Sequence, residues 1–312
     1  MPSRWKTERP MSRAAFEARF PDEAACGRHL VERRWPDGFV CPHCGSRKGW
    51  RLRRPRPTFQ CAGCRKQTSV TAGTVMHRSH LPLRTWLFAA HIVTSHSNGI
   101  SALQLQAQLG LGSYETAWFL LHRLRRAMVD PDRRQLQALV EIDETEIPLR
   151  SKHDAIDRGR GRSTVGKMPV AGAVELSPAG EPRRIRLTSI ADFSAPTLTA
   201  FVDAAAAPGA TVITDGWKGY VGLPRHDHDR KVVGKMAAHG VIKAVHRVFL
   251  NLKRCGLGTF HGLRRRHLQR YLDDFVFRFN RWRHTRAAFD SLLGLATRLM
   301  PATYRDIVHQ RV

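Results

Sequence analysis

The chain has 312 residues, a length that allows two domains, each with a hydrophobic core of its own. Lys and Arg number 52 against 26 Asp and Glu, and this formal net charge of +26 is spread along the chain, which indicates a nucleic-acid partner rather than an anionic membrane surface. The sequence contains no run of eighteen apolar residues and no apolar core in its N-terminal MPSRWKTERP, so we expect a cytoplasmic protein without a membrane partner.

The first predicted elements are short helices. Residues 13–35 carry apolar side chains at helical spacing, with an interruption at Pro21, and the pattern ends at the turn sequence PDG. We therefore expect a helical lead-in over residues 1–36.

Four cysteines follow in two pairs of identical spacing, Cys41-x-x-Cys44 and Cys61-x-x-Cys64, with sixteen residues between the pairs. Each pair can place two thiolates on one side of a tight turn, and two such turns complete the tetrahedron that zinc prefers. A disulfide is disfavoured in a reducing cytosol, and a redox motif would need a single pair beside a βαβ pattern. Because the protein fills all four positions, we predict one structural Zn²⁺ in a ribbon over residues 37–78.

Other residues near these pairs receive different interpretations. His43 lies inside the first turn and is interpreted as a bystander, and the isolated Cys26 and Cys255 as packed thiols. Between the pairs, apolar residues such as Trp50 and Phe59 alternate with arginines, which is typical of short strands. Their basic surface either contacts phosphates or is simply solvated.

Residues 79–135 are predicted to form a helical, helix-turn-helix-like DNA-binding region. Helical spacing runs from Leu81 to Met128, Ser101 and Ser113 fit N-cap positions, and the sequence LGLG joins the last two helices.

The last of these helices is predicted to present arginines to DNA. Its apolar residues, including Leu121 and Leu124, share one face, while Arg123, Arg125 and Arg126 are expected to project elsewhere. A helix pair that packs without touching DNA would show the same pattern, so both interpretations stay open.

Strand patterns begin after residue 138. The runs LVEIDETEIP, PVAGAVELS and PRRIRLTSIAD precede a helix near 195–206, a strand at TVITDGW and helices over about 240–253 and 265–283. This order predicts an α+β protein whose second module is a mixed α/β sheet. The loop SKHDAIDRGRGRSTVGK is expected to be mobile until it meets a phosphate backbone.

Carboxylates concentrate on two of these strands. Alternation puts Glu141 and Asp143 on one face of LVEIDETEIP and Glu144 on the other, and Asp215 follows a short apolar strand at its carboxyl end. Either Asp alone would be interpreted as a surface or turn residue. In so basic a chain, buried acids favour DNA binding only if a cation such as Mg²⁺ separates them from phosphate, so the pair indicates metal-assisted phosphoryl transfer.

The chain resembles bacterial insertion-sequence transposases that carry an N-terminal zinc ribbon and an RNase H-like catalytic domain. The resemblance rests on blocks in the expected order: CPHCGS, CAGCRKQTSVTAGTVMH, DET, TDGWKGY and VHRVFLNLKRCGLGTFHGLRRRHLQRYLDDFVFRFNRW. It implies a catalytic domain over residues 138–290 and a C-terminal tail over 291–312.

This family uses two Asp and a third residue, commonly Glu, with a Lys seven residues later on the same helix. The resemblance implies Asp143 and Asp215 for the first two positions. If Lys253 is the family lysine, His246 occupies the third position, on the same helix face because seven residues are close to two turns. Asn251 remains the alternative, since a neutral oxygen ligand suits Mg²⁺ better than imidazole.

Two further acids, Asp273 and Asp274, lie on the next predicted helix. Because family members carry an acid there beside the aromatic run, both are interpreted as structural rather than as metal ligands.

The implied activity is that of a DNA transposase. It would bind the terminal inverted repeats of its element and the target DNA, and would cut and join strands with two Mg²⁺ or Mn²⁺ ions held by Asp143, Asp215 and His246, while Lys253 grips a phosphate. Joining two ends implies at least a homodimer on DNA. Two alternatives remain: a non-catalytic zinc-ribbon DNA-binding protein derived from a transposase, and a simple RNase H-like nuclease.

Overall fold

The chain divides into two units. Of the described residues, the first unit combines those up to Asp130 with those from Arg281 to Val308, and the second lies within Pro131–Asn280. The computed structural model describes residues 9–148, 166–220, 222–231, 242–260 and 262–308. The loop that was expected to meet phosphates lies outside the described residues from 151 to 165. The limits of the five regions expected from the sequence stay predictions.

Two short helices open the first unit, α1 (Arg13–Arg19) and α2 (Glu23–Arg34). Both begin at the capping residues expected of helix N-termini, because the side chain of Ser12 accepts from Ala15 N at 3.1 Å and that of Asp22 from Ala25 N at 2.7 Å. The predicted break at Pro21 separates them.

A three-stranded antiparallel sheet forms the ribbon, with β1 (Gly49–Arg51), β2 (Thr58–Cys61) and β3 (Gln67–Ser69) in that order. Its small core is aromatic, because the rings of Phe39 and Phe59 stack at 5.0 Å and Trp35 meets both edge-on. The Cys-bearing turns lie at the ends of this sheet.

Three helices follow, α3 (Leu83–Ser95), α4 (Ala102–Leu109) and α5 (Tyr114–Arg126). Ser101 and Gln104 form a capping box at the start of α4, and Gly110 ends that helix with a positive φ of 63°. The side chain of Ser113 caps α5 through Thr116 N. The predicted cap residues and the joint between the last two helices are therefore confirmed.

The expectation that all three arginines of α5 project toward DNA is wrong. Arg123 is buried and donates to the carbonyl oxygens of His77 and Ala302, at 3.1 and 3.2 Å. Arg125 is only 2% exposed, and Arg126 alone keeps partial exposure. The long side chain of an arginine lets its guanidinium group donate hydrogen bonds to buried carbonyl oxygens. The helical spacing of a sequence does not show whether such carbonyl groups are nearby.

The second unit is built on a five-stranded sheet. The strands are β4 (Leu139–Pro148), β5 (Lys167–Leu176), β6 (Pro182–Ser189), β7 (Thr211–Asp215) and β8 (Asp227–Lys231), with α6 (Ala195–Ala205) between β6 and β7. Their spatial order is β6-β5-β4-β7-β8, with antiparallel pairing among the first three strands and parallel pairing of β7 with β4 and with β8. Strand β8 was not predicted, because its sequence DHDRK has no apolar alternation.

Both faces of this sheet are covered. Val140, Ile142 and Val212 pack on one face with residues of α6, including Leu198 and Val202. The opposite face packs against α7 (Lys243–Gly258) and α8 (Leu268–Asn280). The described elements thus combine a small ribbon, helices and a mixed sheet, in agreement with the predicted α+β class.

The last helices, α9 (Thr285–Arg298) and α10 (Tyr304–Val308), belong to the first unit. Phe289 of α9 lies among the rings of Phe16, Phe20 and His91. The second unit ends at Asn280, and the expected catalytic domain over residues 138–290 stays a prediction. Among the described residues, none of the helices combines the length and apolar character needed to cross a membrane.

Candidate active site and zinc-ligand cluster

The sulfur atoms of Cys41, Cys44, Cys61 and Cys64 all lie within 4.8 Å of one another. Two of the separations are 3.6 Å, from Cys41 to Cys64 and from Cys44 to Cys61. A zinc–sulfur bond of about 2.3 Å implies tetrahedron edges of about 3.8 Å, so the cluster fits a structural zinc with four protein ligands.

Backbone geometry prepares this cluster. Gly45, at a positive φ of 72°, turns the first pair so that its N–H donates to Cys41 O at 2.9 Å. In the second pair, the backbone N–H of Cys64 donates toward Cys61 Sγ and lowers the pKa of that thiol to about 6. A thiolate is the form that binds zinc. His43 is exposed and does not belong to the cluster, while Cys26 and Cys255 are buried away from it.

The two candidate aspartates lie on neighbouring parallel strands, Asp143 on β4 and Asp215 at the end of β7. In the parallel pairing of β4 with β7, Glu141 lies opposite Ile213. Continuing that register by two residues on both strands brings Asp143 level with Asp215, with both side chains on the same face of the sheet. Asp143 is 7% exposed, so the pair lies at the edge of the core rather than in open solvent.

Helix α7 brings His246 to the same face. Its Nε2 atom lies 3.4 Å from Oδ2 of Asp143. Lys253, two turns further along α7, is partly exposed on the same side of the helix. Asn251 is exposed and lies about 140° around the helix axis from His246, given 3.6 residues per turn. The contact with Asp143 is therefore made by His246, and the choice between His246 and Asn251 as the third site residue stays a prediction.

Glu141 and Gly172 seat α7 on the sheet beside Asp143. The buried Glu141 carboxylate accepts from the backbone N–H groups of Ala244 and Val245, at 2.8 and 2.9 Å, where helix N–H groups lack partners within the helix. Gly172 pairs with Asp143 across β4 and β5, and a Cβ there would lie 2.5 Å from Phe249 Cε1. The absent side chain lets α7 approach closely.

Desolvation by burial raises the pKa of Glu141, although the two backbone N–H groups and the charge of Arg247 oppose this shift. The Glu141 carboxylate therefore serves to fix the N-terminus of α7 on the sheet. The sequence showed it on the correct face but gave no sign of this role.

Comparison with known proteins assigns both modules. A family model described as the ISXO2-like transposase domain matches residues 135–280, and one described as the transposase zinc-ribbon domain matches residues 21–67. Together the two matches cover more than half of the chain. The chain therefore resembles insertion-sequence transposases, with similarity to the ISXO2-like transposase domain over residues 135–280 and to transposase zinc ribbons over residues 21–67.

A relative within a mobile element supports this resemblance. An uncharacterised protein in the transposable element ISH50 of Halobacterium salinarum is 29% identical over 242 residues, which covers 71% of this chain and 76% of that protein.

Tyr220 is a residue near the candidate active site that the sequence did not single out. Its hydroxyl donates to Oε2 of Glu144 at 2.5 Å, on the face of β4 opposite Asp143. Burial, followed by the charges of Glu144, Asp143 and Asp215, raises the pKa of Tyr220 far above its ordinary value. The raised pKa of Tyr220 thus reflects the negative charge of the carboxylates on both β4 and β7. Its place in the motif TDGWKGY is the sequence signal that could have identified it.

The acids Asp273 and Asp274 have protein partners of their own. Asp274 accepts from Arg278 at 2.7 Å, with both side chains buried. Asp273 accepts from Gln269 at 2.9 Å and lies 3.3 Å from Arg270. These contacts on α8 agree with the structural interpretation of both residues.

Within the described ranges, the Cys cluster is the only group of three or more His, Cys, Asp or Glu side chains whose ligand atoms lie this close together. Asp143, Asp215 and His246 therefore form a looser arrangement than the zinc ligands do.

Proposed function

We propose that the chain is the transposase of an insertion sequence, which binds the ends of its element and catalyses metal-dependent cutting and joining of DNA strands. The observation that carries the proposal is the 3.4 Å contact between His246 Nε2 and Asp143 Oδ2. The parallel pairing of β4 with β7 supports it, because its register, continued two residues past Glu141 and Ile213, brings Asp215 level with Asp143. The match to the ISXO2-like transposase domain and the formal charge of +26 support the choice of DNA.

The order of strands supports an RNase H-like fold for the second unit. Three antiparallel strands, a helix and two parallel strands, arranged β6-β5-β4-β7-β8, form the type of sheet that the sequence resemblance implied. In this arrangement the central strand β4 carries Asp143, and its parallel neighbour β7 ends at Asp215.

The donor set suits Mg²⁺ or Mn²⁺. Asp143 and Asp215 offer carboxylate oxygens, which are the ligands that hard cations prefer, and His246 is the third candidate. Glu141 and Glu144 are occupied by backbone N–H groups and by Tyr220, respectively. When bound, the ions would supply an activated water or 3′-hydroxyl and would neutralise the leaving oxygen.

The residues of the chain itself position these groups. Oδ1 of Asp215 accepts from Trp217 N at 3.0 Å, which fixes the orientation of the carboxylate. Glu141 and Gly172 hold α7, so they set the distance between His246 and Asp143. Lys253, on the same side of α7 as His246, would bind a phosphate next to the cut.

The first unit would supply most of the DNA affinity. The ribbon, stabilised by zinc, and the helices α4 and α5 would hold the terminal repeats, and basic side chains would make the affinity depend strongly on salt. Joining two ends to a target requires at least two copies of the chain on DNA.

A strand-transfer assay tests the proposal. It would use end DNA of the chain's own element with a free 3′-hydroxyl and a label at the 5′ end of the same strand, with Mg²⁺ or Mn²⁺. It would compare Asp143→Asn, Asp215→Asn, His246→Ala and Asn251→Ala with wild type. We expect the Asp and His variants to bind ends but to lose joined product, and Asn251→Ala to keep it. Hydrolysis without joining would favour a simple nuclease, and intact binding without product from wild type would favour a non-catalytic DNA-binding protein.

A further inference from the structure

Helix α7 carries an exposed stripe that the proposed reaction does not use. The α7 stripe consists of Lys243, Arg247, Leu250, Arg254 and Leu257. Leu250 is 59% exposed and Leu257 is 53% exposed, although the opposite side of the helix is packed in the core. The whole helix, KAVHRVFLNLKRCGLG, contains no acidic residue. The stripe is therefore both apolar and strongly positive.

The α7 stripe borders the candidate active site. At 3.6 residues per turn, His246 and Lys253 lie along one flank of the helix, and Leu250 and Leu257 come next around the axis. The basic residues lie beyond the leucines: Lys243, Arg247 and Arg254. A linear ligand leaving the site where His246 meets Asp143 would cross the leucines and then reach the cations.

We propose that the α7 stripe binds the DNA strand that leaves the candidate active site, with its cations on backbone phosphates and its leucines against sugars and base faces. This inference rests on the proposed function, because it concerns the DNA that the site would cut. Phosphates attract cations and release counterions when neutralised, and apolar side chains contact the less polar parts of a nucleotide. A strand held here would fix its position relative to Asp143.

Charge favours DNA over a second copy of the chain as the occupant. Two exposed leucines at a spacing of seven residues would also suit an apolar helix of another protein. However, the leucines are flanked by three cations without an acid on the same helix, and a second copy also carries a formal charge of +26. Like charges across an interface oppose association, whereas a phosphate backbone is complementary to the stripe.

The salt dependence of DNA binding tests the role of the arginines. The full-length double variant Arg247→Gln/Arg254→Gln would be compared with Arg183→Gln, which removes an exposed arginine from the edge strand β6. With a mixed-sequence duplex as probe, two lost phosphate contacts should reduce the slope of log K against log salt by about 1.8, at about 0.9 for each contact. Arg183→Gln should leave the slope unchanged. An unchanged slope in the double variant would overturn the inference.

A pair of opposite charges at one position separates a phosphate contact from a protein contact. Leu250→Lys should strengthen binding of the same duplex, and Leu250→Glu should weaken it, with thermal unfolding showing that both variants fold. If the two variants instead weaken DNA binding equally and lower the molecular mass in light scattering, the stripe is an interface between copies.

These outcomes are separate from those of the strand-transfer assay. If Asp143→Asn abolishes joining while the salt slope of the double arginine variant is normal, only the inference about the α7 stripe fails. If Asp143→Asn leaves joining intact, the proposed active site fails, whatever the slope.

Discussion

The zinc-ligand cluster and the candidate active site show two ways of building a site from few residues. The cluster takes its four thiols from two short turns, each of which places two ligands by local geometry. The candidate active site takes Asp143, Asp215 and His246 from two strands and a helix that are separated by 72 and 31 residues along the chain. The first site therefore depends on turns, and the second on strand register and on how a helix packs.

Removal of one zinc ligand should produce the largest effect. We expect Cys44→Ser to lose most of the bound zinc, because structural zinc contributes apparent binding free energies on the order of 10 kcal/mol to small zinc domains. The ribbon should lose protection from amide hydrogen exchange, while the unit Pro131–Asn280 keeps its protection. Zinc analysis together with hydrogen exchange measures both. His43→Ala is the matched control and should keep its zinc; full zinc content in Cys44→Ser would contradict the assignment.

Acids in the second unit should differ in their effect on stability. Asp274 is paired with Arg278 in the core, so Asp274→Asn leaves a buried charge without its partner and should cost about 3–5 kcal/mol. Asp215→Asn should leave the free energy of unfolding unchanged or raise it, since it removes charge from a cluster of carboxylates and its amide oxygen can still accept from Trp217 N. Urea unfolding of both variants measures the difference. Equal losses would show that Asp215 is also a structural acid.

Packing of α7 should respond to a single methyl group. Gly172→Ala would place a Cβ 2.5 Å from the Phe249 ring, so we expect a loss of about 1–3 kcal/mol and a displacement of His246 from Asp143. The second change Phe249→Leu should restore part of both stability and strand transfer. Gly258→Ala is the control: Gly258 lies in α7, and no atom lies within 4 Å of the added Cβ, so this change should leave both stability and strand transfer unaltered. Thermal unfolding and the strand-transfer assay provide the two measurements.

Local signals explain what the sequence could predict. The Cys spacing anticipated the ligand cluster, and Ser101, Gly110 and Ser113 marked helix ends because caps act within one turn. Alternation along β4 also gave the correct faces for Glu141 and Asp143. Each of these features depends on residues that are close in sequence.

Long-range contacts explain what the sequence missed. Burial of Arg123 depends on carbonyl groups of His77 and Ala302, which are 46 and 179 residues away. Tyr220 meets Glu144 across 76 residues. The polar strand β8 is held by pairing with β7 rather than by its own pattern. Propensity and periodicity carry no information about such partners, and only the packed chain supplies it.

The smallest expected effect concerns an acid surrounded by cations instead of by other acids. Asp290 lies 3.1 Å from His29 Nε2, 3.3 Å from Arg19 and 3.2 Å from Arg33, all within the first unit. Burial alone would raise its pKa, but the hydrogen bond from His29 and the charges of Arg19 and Arg33 lower the pKa of Asp290 below the ordinary 3.8.

Because the folded-state pKa of Asp290 is the lower one, its contribution to stability is present above pH 3.8 and is lost as the pH falls through the folded value. Asp290→Asn should therefore be less stable than wild type at neutral pH, and the difference should shrink in acid. Urea unfolding across this pH range measures it, with the exposed Asp37→Asn as control. If the difference in unfolding free energy between Asp290→Asn and wild type did not depend on pH, Asp290 would act through packing rather than through its charge. Asp274 would then be the remaining example of an acid that stabilises the fold by pairing with a cation, in contrast to the acids of the candidate active site.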